Sequence, residues 1–196
     1  MIAVIDYKAG NLTSVMKAVR AVGADAVATS DPDVVVRANK LVLPGVGHFS
    51  ATAFLEEHGL RQAIEERVNA GISFLGICVG LQWLFAGSTE APHAAGLNAF
   101  AGRCERFAEG IKVPHVGWNS IQVGESRLLR GISSGAFVYF THSYRAPIVH
   151  GTVAVTEYDS PFTAAVERDN IMGVQFHPEK SGAVGLQILE NFVRLP

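Results

Sequence analysis

The amino-acid sequence predicts an α/β protein: a doubly wound sheet, parallel at its start and end, with an antiparallel or mixed extension between. Three observations carry this. Short apolar runs alternate with helix-spaced patterns from Ile2 to Phe85. From Gly96 to Val166 the runs are short and closely punctuated, with no helical spacing between them. A last apolar run and an amphipathic pattern close the chain.

Each element has its own signal. Ile2–Ile5 is a short apolar strand. Asn11 reads as an N-cap, followed by Val15, Ala18, Val19 and Val22 at helical spacing. Ala26–Thr29 and Lys40–Leu43 read as strands. Leu60, Ile64, Arg67 and Val68 share one face of a helix that Gly71 ends. The stretch from Gly71 to Leu75 is of strand length, and Leu81–Phe85 starts a helix. Ala99–Phe107, Asn119–Val123, Phe137–Thr141, Thr152–Tyr158 and Thr163–Val166 read as the strands of the extension. Ile171–Phe176 returns to the first theme, and Leu186, Leu189, Phe192 and Val193 give a closing helix. No repeat or linker marks a second unit, so residues 1–196 are expected to form one domain.

Composition excludes several classes. Hydrophobic residues make up 48 % and charged residues 17 %, a globular balance. Net charge is −2 with no basic stripe, which argues against nucleic acid as a partner. No apolar run reaches membrane-spanning length, and the first residues read as a strand, not a signal peptide. Two cysteines make no disulfide framework, so a cytoplasmic setting is expected. No metal-ligand spacing is present, and no cofactor is expected.

The pentad Gly76-Ile77-Cys78-Val79-Gly80 carries the chemistry. A strand before it and a helix after it give a nucleophile elbow with sulfur in place of oxygen. Such a turn is tight, so glycines flank it. It lifts the thiol above the sheet at a helix N-terminus, where the helix dipole favours thiolate. A cysteine nucleophile needs a base. His177 ends a strand before Pro178, so its imidazole sits on the same carboxyl-end rim as Cys78. Glu179 can orient that ring, completing a Cys78, His177 and Glu179 set. Acyl chemistry also needs oxyanion donors. The loop Pro44-Gly45-Val46-Gly47 after an apolar strand offers them, with the Val79 amide beside the nucleophile. His48, His58, His93 and His150 read as ordinary surface or helix-end histidines, His115 and His142 remain open, and Cys104 reads as structural.

These residues together resemble the class I glutamine amidotransferases. The G-x-C-x-G elbow followed by Gln82 and the late His177-Pro178-Glu179 match that family in order and spacing. Further segments narrow the resemblance to its histidine-biosynthesis branch: Asp6–Leu12, Leu43–Gly47, Val113–Asn119 and His142-Ser143-Tyr144, with Lys180-Ser181 after the late motif. His48 departs from the alanine common after Pro44-Gly45-Val46-Gly47. The resemblance implies a flavodoxin-like doubly wound mixed sheet and hydrolysis of glutamine to glutamate and ammonia. It implies that Gln82, Ser143 and Tyr144 contact glutamine. It also implies a heterodimer with a cyclase subunit, HisF, a (β/α)8 barrel that uses the ammonia. Asn11, Trp118, Tyr139 and Lys180 match positions facing that partner. A different glutaminase branch or a free-standing cysteine hydrolase on a similar sheet remains open from the residues alone.

Overall fold

Strands buried on both faces come from unbroken apolar runs, and strands with one wet face come from alternating ones. Both kinds occur in the computed structural model, which describes residues 1–9 and 11–196. Gly10, within the Asp6–Leu12 segment, lies outside the described residues. In chain order the first half holds β1 (Ile2–Ile5), α1 (Leu12–Ala21), β2 (Ala26–Thr29), α2 (Pro32–Arg37), β3 (Lys40–Leu43), α3 (Ala53–Glu57), α4 (Leu60–Asn69), β4 (Ser73–Ile77) and α5 (Val79–Trp83). The second half holds β5 (Glu105–Arg106), β6 (His115–Val123), β7 (Ala136–His142), β8 (Tyr144–Arg145), β9 (Thr152–Glu157), β10 (Pro161–Arg168), β11 (Ile171–Val174) and α6 (Gly182–Arg194).

Among the described residues nine strands form one sheet in the order β2-β1-β3-β4-β11-β10-β9-β6-β7. β2, β1, β3, β4 and β11 run parallel, and β10, β9, β6 and β7 extend the sheet antiparallel. The predicted class and extension hold. Right-handed crossovers set the layers. β1 to β2 steps one way along the sheet and β2 to β3 steps the other. That places α1 on one face and α2 on the opposite face. α1 packs beside α6, and α2 beside α4. Among the described residues no helix is long and apolar enough to cross a membrane.

Local chemistry explains the boundaries. The Asn11 side chain accepts the Ser14 N–H at 3.3 Å and starts α1. Asp31 caps α2 with Pro32 at its first position, a plain D-P-D signal that the sequence reading passed over. A 3-10 turn at Phe49–Thr52 and α3 were also unforeseen. Gly71, at φ 84, follows α4 as expected. The strand expected from Gly71 begins later, at Ser73, and runs to Ile77.

Ala99–Phe107 is a correction. Only Glu105–Arg106 pairs as a strand. The chain before it wraps the end of α5: Leu97 N–H donates to the Trp83 carbonyl at 2.6 Å and Phe100 N–H to the Leu84 carbonyl at 3.1 Å. Gly96 presses so closely on the Phe85 carbonyl that any Cβ would overlap it. These amides meet a helix terminus instead of a neighbouring strand, so no ladder forms. The helix expected to start in Leu81–Phe85 starts earlier, at Val79, and α5 ends at Trp83.

Candidate active site

The elbow is built by close approach. A Cβ on Gly80 would overlap the Leu43 carbonyl of β3, and one on Gly76 would overlap the Gly80 carbonyl. Both glycines are needed because the turn is packed against the next strand. The strained residue is Cys78 itself, at φ 55 and ψ −105. An L-residue rarely holds such angles, which cost of order 1–3 kcal/mol. The Cys78 N–H is tied to the Val174 carbonyl at 2.8 Å, and its carbonyl accepts Gln82 N–H at 3.1 Å.

Strand order gathers the rest. β3 and β11 flank β4, so their carboxyl ends deliver the Gly45 loop and His177 to either side of Cys78. Glu179 Oε1 accepts from His177 Nδ1 at 2.8 Å, and both side chains are 1 % exposed. Ser181 Oγ grips the His177 carbonyl at 2.6 Å, and His177 N–H donates to the Tyr139 carbonyl. With Nδ1 committed to Glu179, His177 Nε2 has no conventional partner, and Cys78 is the charged neighbour that acts on the ring. Burial pulls this imidazole down, but the Cys78 sulfur beside it and Glu179 prevail and raise its pKa to about 10.

A cleft of about 160 Å³ opens at Cys78, lined also by Gly47, Val79, Gln82, Ser143 and Tyr144. The three residues matched to glutamine contact therefore share one cavity with the sulfur. The Tyr144 carbonyl is already engaged, accepting Gln82 Nε2 at 2.9 Å. The loop expected to supply oxyanion donors has Gly45 buried and Gly47 exposed, with Val46 between. The Gly45 carbonyl accepts the Val79 N–H at 3.4 Å, so that amide is occupied. His48 is turned into local structure, its Nδ1 accepting the Ser50 N–H.

Three residues were not singled out from the sequence. Glu90 lines the cleft and holds the Phe49 N–H at 2.8 Å. Gln175 is fully buried, and its Nε2 lies 3.6 Å from Cys78 Sγ. Tyr7 packs its hydroxyl against Gly45 and has no hydrogen-bond partner for it among the described residues; burial first and Cys78 second push that phenol up. Their sequence neighbours carry no local pattern; only the fold brings them in. Cys104 is buried with its sulfur near the Gln82 carbonyl, and burial pushes its thiol up, in keeping with a structural role. Among the described residues no group of three or more His, Cys, Asp or Glu is placed to hold a metal ion.

Of the four residues matched to a partner surface, three cluster. Trp118 pairs with Tyr139 across β6 and β7, their rings 6.1 Å apart at 80°. Lys180 Nζ lies 5.6 Å over the Tyr139 ring, and Trp118 is 55 % exposed. Asn11 heads α1, which packs on the turn that carries Lys180.

The chain is similar to known proteins along nearly its whole length. The family model for glutamine amidotransferase class-I matches residues 3–195. The chain is 52 % identical over 198 residues to the imidazole glycerol phosphate synthase subunit HisH of Methanothermobacter thermautotrophicus, covering 100 % of this chain and 98 % of that one. It is 50 % identical over 202 residues to HisH of Thermococcus kodakarensis, covering both chains fully at 100 %. A crystal structure of a glutamine amidotransferase shares the fold at a TM-score of 0.78 and 20 % identity, covering 97 % of this chain and 98 % of the other. PurLQS from Thermotoga maritima superposes at 0.74 and 17 % identity, covering 97 % and 96 %.

Proposed function

The chain belongs to the class I glutamine amidotransferase family, and from that premise we propose that it hydrolyses glutamine to glutamate and ammonia and delivers the ammonia to HisF. That partner is a cyclase with a (β/α)8 barrel, which uses ammonia to form imidazole glycerol phosphate in histidine biosynthesis. The carrying observation is a strained cysteine that opens on a small cleft and acts on a buried imidazole, His177, whose Nδ1 is held by Glu179. Residues 1–196 act as one glutaminase domain in this reading, and a free thiol as nucleophile fits the reducing cytoplasm.

The chemistry follows from the charges. Cys78 thiolate attacks the side-chain amide carbon of glutamine and forms a C–S bond. The oxygen becomes an oxyanion that takes amide donors from Val79 and the Gly45-Val46-Gly47 loop. Imidazolium His177 gives its Nε2 proton to the amide nitrogen, the C–N bond breaks and ammonia leaves. Neutral His177 then takes a proton from water, which attacks the thioester and releases glutamate. Glu179 stabilises the imidazolium at each turn. Glu90, the carboxylate lining the cleft, is placed to pair with the ammonium of the bound amino acid, while Gln82, Ser143 and Tyr144 hold the rest.

The occupied Val79 amide supports a resting state with low activity. Rotating the Gly45–Val46 peptide would free that donor, and Gly45 lacks the side chain that would resist it. Docking of the partner on Asn11, Trp118, Tyr139 and Lys180 is the proposed trigger. The test is glutamate release from glutamine by the chain alone and with HisF and its ribulosyl ligand. A large rise on adding the partner supports the reading. Release from peptides but not from glutamine would replace it with a cysteine hydrolase.

A further inference from the structure

Two histidines that the mechanism above does not use lie directly opposite one another on β6 and β7. His115 is 3 % exposed and His142 is 6 % exposed. His115 Nδ1 and His142 Nε2 are 3.1 Å apart. His142 Nδ1 lies 2.9 Å from the Tyr144 carbonyl, and His115 Nε2 lies 3.5 Å from Asn119 Nδ2. The rings cannot turn freely. His115 is stacked between Tyr158 at 4.0 Å and Phe140 at 4.9 Å. Phe107 and Phe162 close on His142 at 5.4 Å and 5.3 Å.

The partners dictate where each proton sits. A carbonyl only accepts, so His142 must carry its proton on Nδ1 and donate to Tyr144. Its Nε2 is then a lone pair, which His115 must serve from Nδ1. His115 Nε2 is left as an acceptor, facing the amide hydrogens of Asn119. Asn119 in turn is fixed by donating to the Glu157 carbonyl at 2.8 Å. Burial keeps both imidazoles neutral, holding His115 down to about 4 and His142 to about 3. A proton added to either ring would set two donors against each other.

The chain continues into the cleft. The Tyr144 carbonyl also accepts Gln82 Nε2 at 2.9 Å, the same amide donates to Gln175 Oε1 at 3.3 Å, and Gln175 Nε2 reaches Cys78 Sγ at 3.6 Å. Every donor in this series meets an acceptor. We propose that His115 and His142 are positioning residues, locked as Nδ1–H tautomers in a hydrogen-bond chain that runs one way from Asn119 to the Tyr144 carbonyl, where Gln82 donates from the other side, and that so sets the affinity of the cleft for glutamine. This rests on the glutaminase reading for its ligand but not for its structure. Free imidazole side chains in water favour the opposite tautomer, with the proton on Nε2, so the prediction is specific.

Two measurements test it on the full chain. Nitrogen-15 NMR of the imidazoles at neutral pH is expected to show both rings neutral with the proton on Nδ1. An Nε2–H or averaged signal from either ring overturns the proposal whether or not the chain hydrolyses glutamine. Kinetics with HisF present then reads the role. His142→Leu removes the donor and is expected to raise KM for glutamine about tenfold, the worth of one buried hydrogen bond, with kcat within about twofold. His142→Asn places an amide donor where Nδ1 sits and is expected to restore KM. Unchanged KM in His142→Leu, or an equal KM defect in both variants, overturns the positioning role. If His142→Leu does not fold, His115→Leu and His115→Asn read the same contrast one link further out. Wild-type chain that turns over no glutamine sinks the glutaminase reading alone and leaves the tautomer result standing.

Discussion

Cys78 combines reactivity with strain. Its positive φ is held by the Val174 and Gln82 hydrogen bonds and by two glycines packed to contact. Cys78→Ala is expected to lose glutamine turnover to background while keeping the fold, as read by circular dichroism. Cys78→Gly is expected to be more stable than Cys78→Ala by about 1 kcal/mol, because glycine relieves the backbone strain; equal urea midpoints for the two would deny the strain. His177 supplies a second test. Its imidazolium persists up to about pH 10 because Cys78 and Glu179 favour the charged ring. Activity needs that proton for the leaving nitrogen, so it falls as pH rises through this value. Glu179→Gln removes one of the supports, and the alkaline limb of kcat/KM is expected to move to lower pH. A limb that stays in place would mean that Glu179 does not hold the charge.

At the scale of elements, the elbow is the unit on which the site depends. Gly80→Ala would drive a Cβ into the Leu43 carbonyl. Backbone cannot yield as a side-chain tip can, so a loss of about 1–3 kcal/mol or more in urea unfolding is expected. The parallel strands were legible because a strand buried on both faces is an unbroken apolar run, as in β1 and β3. Cys78, His177 and Glu179 were legible because glycine and proline beside them punctuate the chain. The segment from Ala99 to Phe107 was not legible: its Phe100, Cys104 and Phe107 amides go to the carbonyls of Leu84, Gly87 and Ser143, tertiary facts with no local pattern. Glu90, Gln175 and Tyr7 escaped for the same reason. Tyr7 reaches Gly45 because β1 is the neighbour of β3, and Gln175 reaches Cys78 because β11 is the neighbour of β4; strand order is not written in any one strand.

The whole molecule is poised between opposite titrations. Unfolded histidines bind protons near pH 6.5, which His115 and His142 refuse until about 4 and about 3. Their contribution is present above pH 6.5 and lost as pH falls below it. His177 does the reverse: its raised pKa stabilises the fold below pH 6.5, and that gain drains away as pH rises towards about 10. A stability maximum near neutral pH follows, with each flank of the order of a few kcal/mol. Unfolding free energies measured from pH 4 to 10 check it, and stability that kept rising above pH 7 would contradict it. The same fold presents Trp118, Tyr139 and Lys180 as one cluster on the antiparallel extension, on strand and turn segments next to His177. A partner seated there would press on β7 and on the turn after His177, whose N–H donates to the Tyr139 carbonyl. The most direct measurement is glutamate release from glutamine by wild type and Cys78→Ala, each alone and with HisF and its ribulosyl ligand. Wild type alone is expected to give a low rate that rises greatly with the partner, and Cys78→Ala to stay at background in both settings. Full wild-type activity without the partner would rule out the gating, and glutamine turnover by Cys78→Ala would rule out Cys78 as the nucleophile.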